Sequence, residues 1–534
     1  MKTFIKKTII IFAAILSTLI SQAQTVEWVN QYDSDFTYGV KVATDASGNI
    51  YTLGAFRNTG TFGAFTMTSS INNGKVFITK TDPSGNTIWA TKCEGFDNQL
   101  SGGIYVDASA IYISGLFSNT AAFGTTTLTS GSNLVASFIA KMDLSGNFLW
   151  AKKFNVSSIL SVCTSTTGNI YAAGTFTSLA TFGTFTASCS GNEDAFVAKL
   201  DVNGNATWFN KMGSNFPDRA TSVVSDASGN AYVGGYFSGT VAFGSFSLTS
   251  YGSRDLFIAK VNGTGTVQWA KQFGGANDDF GTEVTINSAG NIYFSGGFSP
   301  PSTFGTFTVN SGNLAVGQLD AAGTVIWVSQ YGEINNASLC DVFSIAADPT
   351  GNIYTSGRFS GTSSFGTTTL TAVGLDAFLT KVNSTGNFVW VKQMISPGNP
   401  VVISSVSHHS GKVYCGGYFD GTASIDNFTM TTAGFSSGFI MKVSSTPIGI
   451  KENYQDISVN VYPNPVSDKL IIESYVFNQT LKVTVTDLLG KDVLNKNFIY
   501  SKTETLDVSM LLPGVYFLRV SSAEKSGVVK IVKE

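Results

Sequence analysis

Apolar and polar positions along this chain fall into short runs. Ala231-Tyr232-Val-Gly-Gly-Tyr-Phe237, Phe257-Ile-Ala-Lys260 and Val267-Gln-Trp269-Ala are rich in β-branched and aromatic side chains. Gly, Asn, Asp and Ser bound each run, so each predicts a strand ended by a tight turn. The runs recur. Tyr-x-x-Gly-x-Phe stands at Tyr51, Tyr112, Tyr171, Tyr232, Tyr293, Tyr354 and Tyr414, with steps of 61, 59, 61, 61, 61 and 60 residues. Self-similarity at a fixed period is the mark of a repeat architecture.

Tryptophan keeps the same period. All seven, at 28, 89, 150, 208, 269, 327 and 390, take one place in the unit. Before most of them comes a turn such as Lys80-Thr-Asp82-Pro-Ser-Gly85, in which Asp or Asn folds back on its own backbone and Gly supplies a positive φ. In the fourth unit, Thr221–Ser225, Ala231–Phe237, Asp255–Val261 and the segment around Trp269 predict four antiparallel strands, with a short excursion over Val241–Leu248. Four-stranded units at this period predict an all-β fold, a seven-bladed β-propeller over 24–446.

Tyr and Phe of the motif are five residues apart and point to opposite faces of their strand. Both faces are therefore expected to be buried between neighbouring blades, with the motif Gly making room for a ring from the next blade. Trp28 lies on a strand preceding the first full unit, while the seventh unit ends at Phe439-Ile-Met-Lys442 without a Trp. Val26–Gln31 is thus expected to supply the missing fourth strand of blade seven and remove an open edge.

Composition adds an address. Lys2, Lys6 and Lys7, the apolar run Ile9–Ile20 and Ser21-Gln22-Ala23 predict a signal peptide over 1–23, cleaved after Ala23 and leaving no transmembrane segment. A net charge of −3 offers no basic footprint, so no nucleic-acid partner is expected. The five cysteines, 93, 163, 189, 340 and 415, are odd in number and form no CxxC. They are expected to be small buried hydrophobes.

The units resemble the seven-bladed propeller repeats of exported bacterial proteins, with their Asp-x-x-Gly-Asn-x-Tyr-x-x-Gly-x-Phe signature. The likeness covers roughly 25–446 and is sharpest at Asp45–Asn49, Asp226–Asn230 and Asp348–Asn352. Asp107-Ala-Ser-Ala110 lacks the Gly-Asn pair, Gln318 stands where other units have Lys, and His408 stands where most have Asp. Pro447, Gly449 and a polar run predict a linker over 447–457. Beyond it, Tyr462-Pro-Asn-Pro465, Asp487-Leu-Leu-Gly-Lys491 and Pro513-Gly-Val-Tyr516 separate short strands and predict a small β-sandwich over 458–534. This stretch resembles the C-terminal sorting domain of type IX secretion cargo in Bacteroidetes. The resemblance implies engagement of that machinery through 458–534, passage through the periplasm and outer membrane, removal of the module, and release or attachment at the cell surface.

Candidate chemistry is thin. His408 and His409 are adjacent and face opposite ways on a strand, and His408 is expected to replace Asp in a turn. Each Asp-Ala-Ser-Gly-Asn turn brings one carboxylate, too few for Ca²⁺. Asp194, Asp255 and Asp376 precede the third strand of their units, where others have Lys75, Ala136, Asn313 and Ser437, and read as strand-opening residues. The Trp strand resembles the docking motif of pyrroloquinoline-quinone propellers, without their cofactor ligands. No catalytic, cofactor-binding or metal residue is assigned, and no cofactor is expected. The functional expectation is a non-catalytic secreted or surface propeller whose loops, such as Ser329–Leu339 and Met394–Pro400, bind protein or glycan. The alternative is a secreted polysaccharide hydrolase or lyase with carboxylates on the propeller face.

Overall fold

The structure, a computed structural model, describes residues 24–69, 74–93, 102–333, 340–444, 455–456, 459–474, 480–487, 492–499, 503–521 and 525–534. The signal-peptide segment 1–23, most of the linker and residues 334–339 lie outside the described residues. Every regular element described is a strand, and the fold is all-β. The chain divides into two compact units, Met1–Ile448 and Gly449–Glu534.

In the first unit, β1 (Val26–Asp33) is followed by β2 (Phe36–Thr44), β3 (Ile50–Arg57), the hairpin β4 (Thr59–Phe62) and β5 (Phe65–Thr68), then β6 (Lys75–Thr81) and β7 (Thr87–Lys92). Strands β2, β3, β6 and β7 pair antiparallel in that order. Later four-stranded sets follow the same plan, for example Arg219–Ser225, Ala231–Phe237, Asp255–Val261 and Val267–Gly275. The last set contains Val401–His409, Lys412–Phe419 and Ser437–Ser444, and its fourth member is β1, with Trp28 opposite Lys442 and Tyr32 opposite Gly438. The arrangement is propeller-like.

The motif rings lie between the sets. Tyr51 shares a core cluster with Phe117, Tyr112 with Phe176, Tyr171 with Phe237 and Tyr232 with Phe298. Tyr293 then joins Phe359, Tyr354 joins Phe419, and Tyr414 joins Phe56 of β3. Each motif thus sends its Tyr into one cluster and its Phe into the cluster before. Burying such a ring is worth roughly 4–6 kcal/mol before ordering entropy.

The motif glycine differs from expectation. A Cβ on Gly54 would stand 2.6 Å from the Phe77 ring, and one on Gly235 the same distance from Phe257. Both rings come from the third strand of the same set, where they sit directly opposite the glycine. A bulge in the first strand, between Ala220 and Ser222, also brings the Arg219 carbonyl to 2.0 Å from that Cβ position. Gly is needed because its own sheet closes over it, not because the next one does.

Tryptophan links one set to the next. The indole N–H of Trp89 donates to Leu144 O at 3.3 Å, that of Trp208 to Gly263 O at 3.2 Å and that of Trp269 to Ala321 O at 3.1 Å. The Lys before the turn lies over the motif Tyr, Lys80 Nζ being 5.2 Å from the Tyr51 ring and Lys260 Nζ 5.1 Å from Tyr232. Where Gln318 replaces Lys, its Oε1 accepts the Trp327 indole at 2.8 Å.

The second unit has a three-stranded sheet (Val459–Tyr462, Lys469–Ser474, Thr503–Asp507) and a five-stranded one. Leu470, Ile472 and Leu506 from the first meet Val483, Val485, Leu518 and Ile531 from the second in one core.

Candidate functional site

The first strands of the sets line a cavity of about 440 Å³. Lys41, Ser161, Ser222, Glu283, Ser344 and Ser405 hold one register position on these strands, each opposite the residue two places after the motif Tyr. Gly103 takes that place in the second set, its carbonyl accepting from Ser114 N. The serines stitch neighbouring strands together. Ser161 Oγ accepts from Val223 N at 3.1 Å, Ser222 from Val284 N at 3.2 Å, Ser344 from Val406 N at 3.1 Å and Ser405 from Val42 N at 3.0 Å.

Lys41 and Glu283 break the serine pattern. Burial pulls the Lys41 ammonium below its ordinary range, opposed by the charge of Glu283, and Nζ donates to Ser404 O at 3.0 Å. Burial pushes the Glu283 carboxyl up to about 7, against the pull of Lys41 and a hydrogen bond from Ser222. Neither residue stands out in the sequence alone. Aligning first strands by distance from the motif Tyr would have singled out both.

At one end of the bore a second cavity, about 800 Å³, is lined by hairpin turns that include Ser109, Thr166, Asp226 and Ser288, with Tyr105 beside them. Strand alternation puts the other loops, between second and third strands and between successive sets, at the opposite end. Here Phe216, Tyr251 and Phe435 are 56%, 66% and 82% exposed. Two ion pairs accompany the first two rings: Arg219 Nε bonds Glu193 at 2.7 Å, and Arg254 Nε bonds Asp278 Oδ1 at 2.6 Å. The Arg254 guanidinium also lies 5.4 Å from the Tyr236 ring.

The carboxylates of the Asp turns are engaged by their own turns. Asp45 Oδ1 accepts from Ser47 N and Asn49 N, both at 2.9 Å, and Oδ2 accepts from Asn49 Nδ2 at 2.8 Å and the Tyr51 hydroxyl at 3.1 Å. Burial works to raise this carboxyl, and the hydrogen bonds outweigh it and hold it below its ordinary range. Among the described residues, no three His, Cys, Asp or Glu side chains group to hold a metal. None of the five cysteines forms a disulfide, and all but Cys189 are buried.

His408 is not in a turn. It extends the first strand of its set opposite Val413, and the hairpin closes at Ser410 and Gly411, with φ of 47° and 72°. These paired positive φ values make a two-residue turn, so the strand runs on through the position that carries Asp elsewhere. The ring stacks on Tyr354 at 5.3 Å, and burial lowers its pKa, against the charge of Asp348. Asp194 and Asp255 open their third strands and Asp376 lies within the longer strand Thr368–Val382; all three are fully buried, and accept from Ser190 N at 2.8 Å, Tyr251 N at 2.9 Å and Val373 N at 3.2 Å. Met394 is buried and Ile395 exposed at the start of the expected 394–400 loop.

The second unit settles one question. Residues 460–534 match the secretion system C-terminal sorting domain. The chain ends in a sorting domain. Such a tail implies export to the cell surface or secretion, and it is the domain by which type IX cargo meets its machinery. Among the described residues, no helix is long and apolar enough to cross a membrane. The first unit has more distant likenesses. An uncharacterized WD repeat-containing protein of Acanthamoeba polyphaga mimivirus is 27% identical over 233 residues, covering 35% of this chain and 17% of that protein. The Dos1 propeller shares 10% identity at a TM-score of 0.35, over 79% of this chain and 96% of that one. Polysaccharide lyase Uly1 shares 10% identity at 0.37, over 76% and 90%.

Proposed function

We propose that this is a non-catalytic, exported β-propeller of seven blades over 24–446, closed by β1, whose loops bind a protein or glycan ligand. A signal peptide over 1–23 and the tail over 458–534, joined by a linker over 447–457, take it through the periplasm to the surface or medium of a Bacteroidetes cell. Closure is supported by the run of shared clusters, which returns from Tyr414 to Phe56, and by the pairing of β1 with Ser437–Ser444.

Binding at the loops is supported above all by Phe216, Tyr251 and Phe435. The motif Tyr and Phe rings are all buried in packing, whereas these three are exposed on loops that differ from set to set. Glycoside hydrolysis needs two carboxylates about 5–9.5 Å apart. The bore offers Glu283 facing a lysine, which favours binding over hydrolysis.

The test is a glycan array and a surface-protein pull-down with the mature protein and with a Phe216→Ala, Tyr251→Ala, Phe435→Ala variant. At least tenfold weaker capture at an unchanged melting temperature is expected. Undiminished capture by the folded variant removes these loops as the binding face.

A further inference from the structure

Two pairs of buried aspartates recur at equivalent places in the first unit. Asp194 and Asp255 open third strands, while Asp218 and Asp279 stand just before or within the start of the next set; all four are 1% exposed or less. Asp218 accepts from Ser214 N at 2.6 Å and Ser238 N at 2.9 Å. Asp279 accepts from Gly275 N at 2.9 Å and Ser299 N at 2.7 Å. The first member of each pair uses only one oxygen: Asp194 Oδ1 and Asp255 Oδ1 have no hydrogen-bond partner.

Asp376 provides an internal comparison. It holds the same place as Asp194 and Asp255, but Pro400 stands where the second carboxylate would be. Its Oδ1 is satisfied, accepting from Ser396 N at 3.0 Å. Ser396 is the counterpart of Ser214 and Gly275, whose N–H groups go instead to Asp218 and Asp279. The second carboxylate therefore takes the amide and leaves the first carboxyl an oxygen without a donor. Asp255 Oδ1 and Asp279 Oδ2 lie 2.9 and 2.5 Å from a single point, where a Gly274 Cβ would stand.

We propose that Asp255–Asp279 is a proton-sharing carboxyl pair, Asp255 Oδ1–H donating to Asp279, that ties down the loop carrying Tyr251 in mildly acidic surroundings. A buried oxygen without a donor is costly, and a proton is the smallest group that satisfies it. Burial and the facing carboxylate push Asp218 and Asp279 up to about 6, and burial raises Asp255. The other groups facing the first pair are Lys211, 3.2 Å from Asp194 Oδ2, and the Cys189 thiol. Neutral Gln272 replaces that lysine at the second pair, and the Arg219–Glu193 and Arg254–Asp278 ion pairs lie alongside. A carboxyl raised on folding stabilises fully below its unfolded value near 3.8, and the contribution is lost as pH rises through about 6.

Asp255→Asn mimics the protonated carboxyl, its amide donating where Oδ1–H would. The full-length protein with Asp255→Asn should melt with wild type at pH 5 and several degrees above it at pH 8. Asp376→Asn should melt lower at both pH values, because its amide opposes the Ser396 N–H. In wild type, amide-exchange protection at Gly275 should fall about tenfold more than at Ser396 between pH 5 and pH 8, after correction for intrinsic exchange. The proposal is overturned if Asp255→Asn shifts melting equally at both pH values, or if the Gly275 and Ser396 amides respond alike. It is also overturned if millimolar calcium at pH 8 stabilises wild type but not Asp255→Asn, which would make the pair a cation site.

Discussion

The indole N–H of Trp28 donates to the carbonyl of Pro83 across 3.2 Å, and its ring covers Gly85, where a Cβ would stand 3.2 Å away. Trp28 thus pairs with the last set through its backbone and docks on the first through its side chain. Trp28→Ala is expected to cost about 3 kcal/mol, measured by denaturant unfolding. Deleting Val26–Asp33 should cost more and leave Ser437–Ser444 as an exposed edge, seen as self-association in sedimentation. A deletion that stays monomeric and equally stable would mean that β1 closes nothing.

The Asp turns predict a graded series. Asp226 Oδ1 accepts from Ser228 N and Asn230 N, and Oδ2 from Asn230 Nδ2 and the Tyr232 hydroxyl. Asp226→Ala should cost about 1–3 kcal/mol. Asp82→Ala, in a more exposed turn without a Tyr partner, should cost less. Hydrogen bonding outweighs burial and lowers the Asp226 carboxyl, so its contribution is present above about pH 4 and lost as pH falls through the lower folded value. The Asp226→Ala deficit should therefore shrink between pH 5 and pH 2.

Glu283 predicts the opposite slope. Its carboxyl is raised to about 7, so stability is lost as pH climbs through that value. Glu283→Ser would restore the serine pattern, with a hydroxyl able to bridge toward Ile345. Unfolding free energy should rise on the order of 2–3 kcal/mol at pH 9 and hardly change at pH 4.5. A loss at pH 9 would assign the bore charge a stabilising role instead.

The sorting domain predicts location. Cells expressing the chain without 460–534 should retain it, while the intact chain reaches the surface or the medium, read by fractionation and protease shaving. Equal exposure of both forms would separate this tail from export.

The aromatic frame was legible because each repeated ring has one role at one spacing. Tyr51 and Phe56 alternate by the geometry of a strand, and Trp89 marks its hairpin without any tertiary knowledge. The partner of Gly54 was not legible, since Phe77 lies beyond an excursion and only pairing brings the two together. His408 was misplaced because a two-residue turn lengthens its strand, and the residues that dictate this, Ser410 and Gly411, follow it. Lys41 and Glu283 escaped notice because alternation alone marks no single position on the first strand, and only alignment on the motif Tyr shows that they stand where other sets have Ser. Phe216, Tyr251 and Phe435 look like any other ring in composition. Only solvent exposure tells them apart.

The meeting of β1 with the end of its own unit also sets a clock. The Val26 amide bonds Asp426, a residue 400 positions later. At roughly 5–20 residues per second, that partner leaves the ribosome about 20–80 s after the first strand does. Until then β1 lacks the strand it pairs with in the finished fold. Its pairing with Ser437–Ser444 therefore waits until nearly all of the first unit has been made.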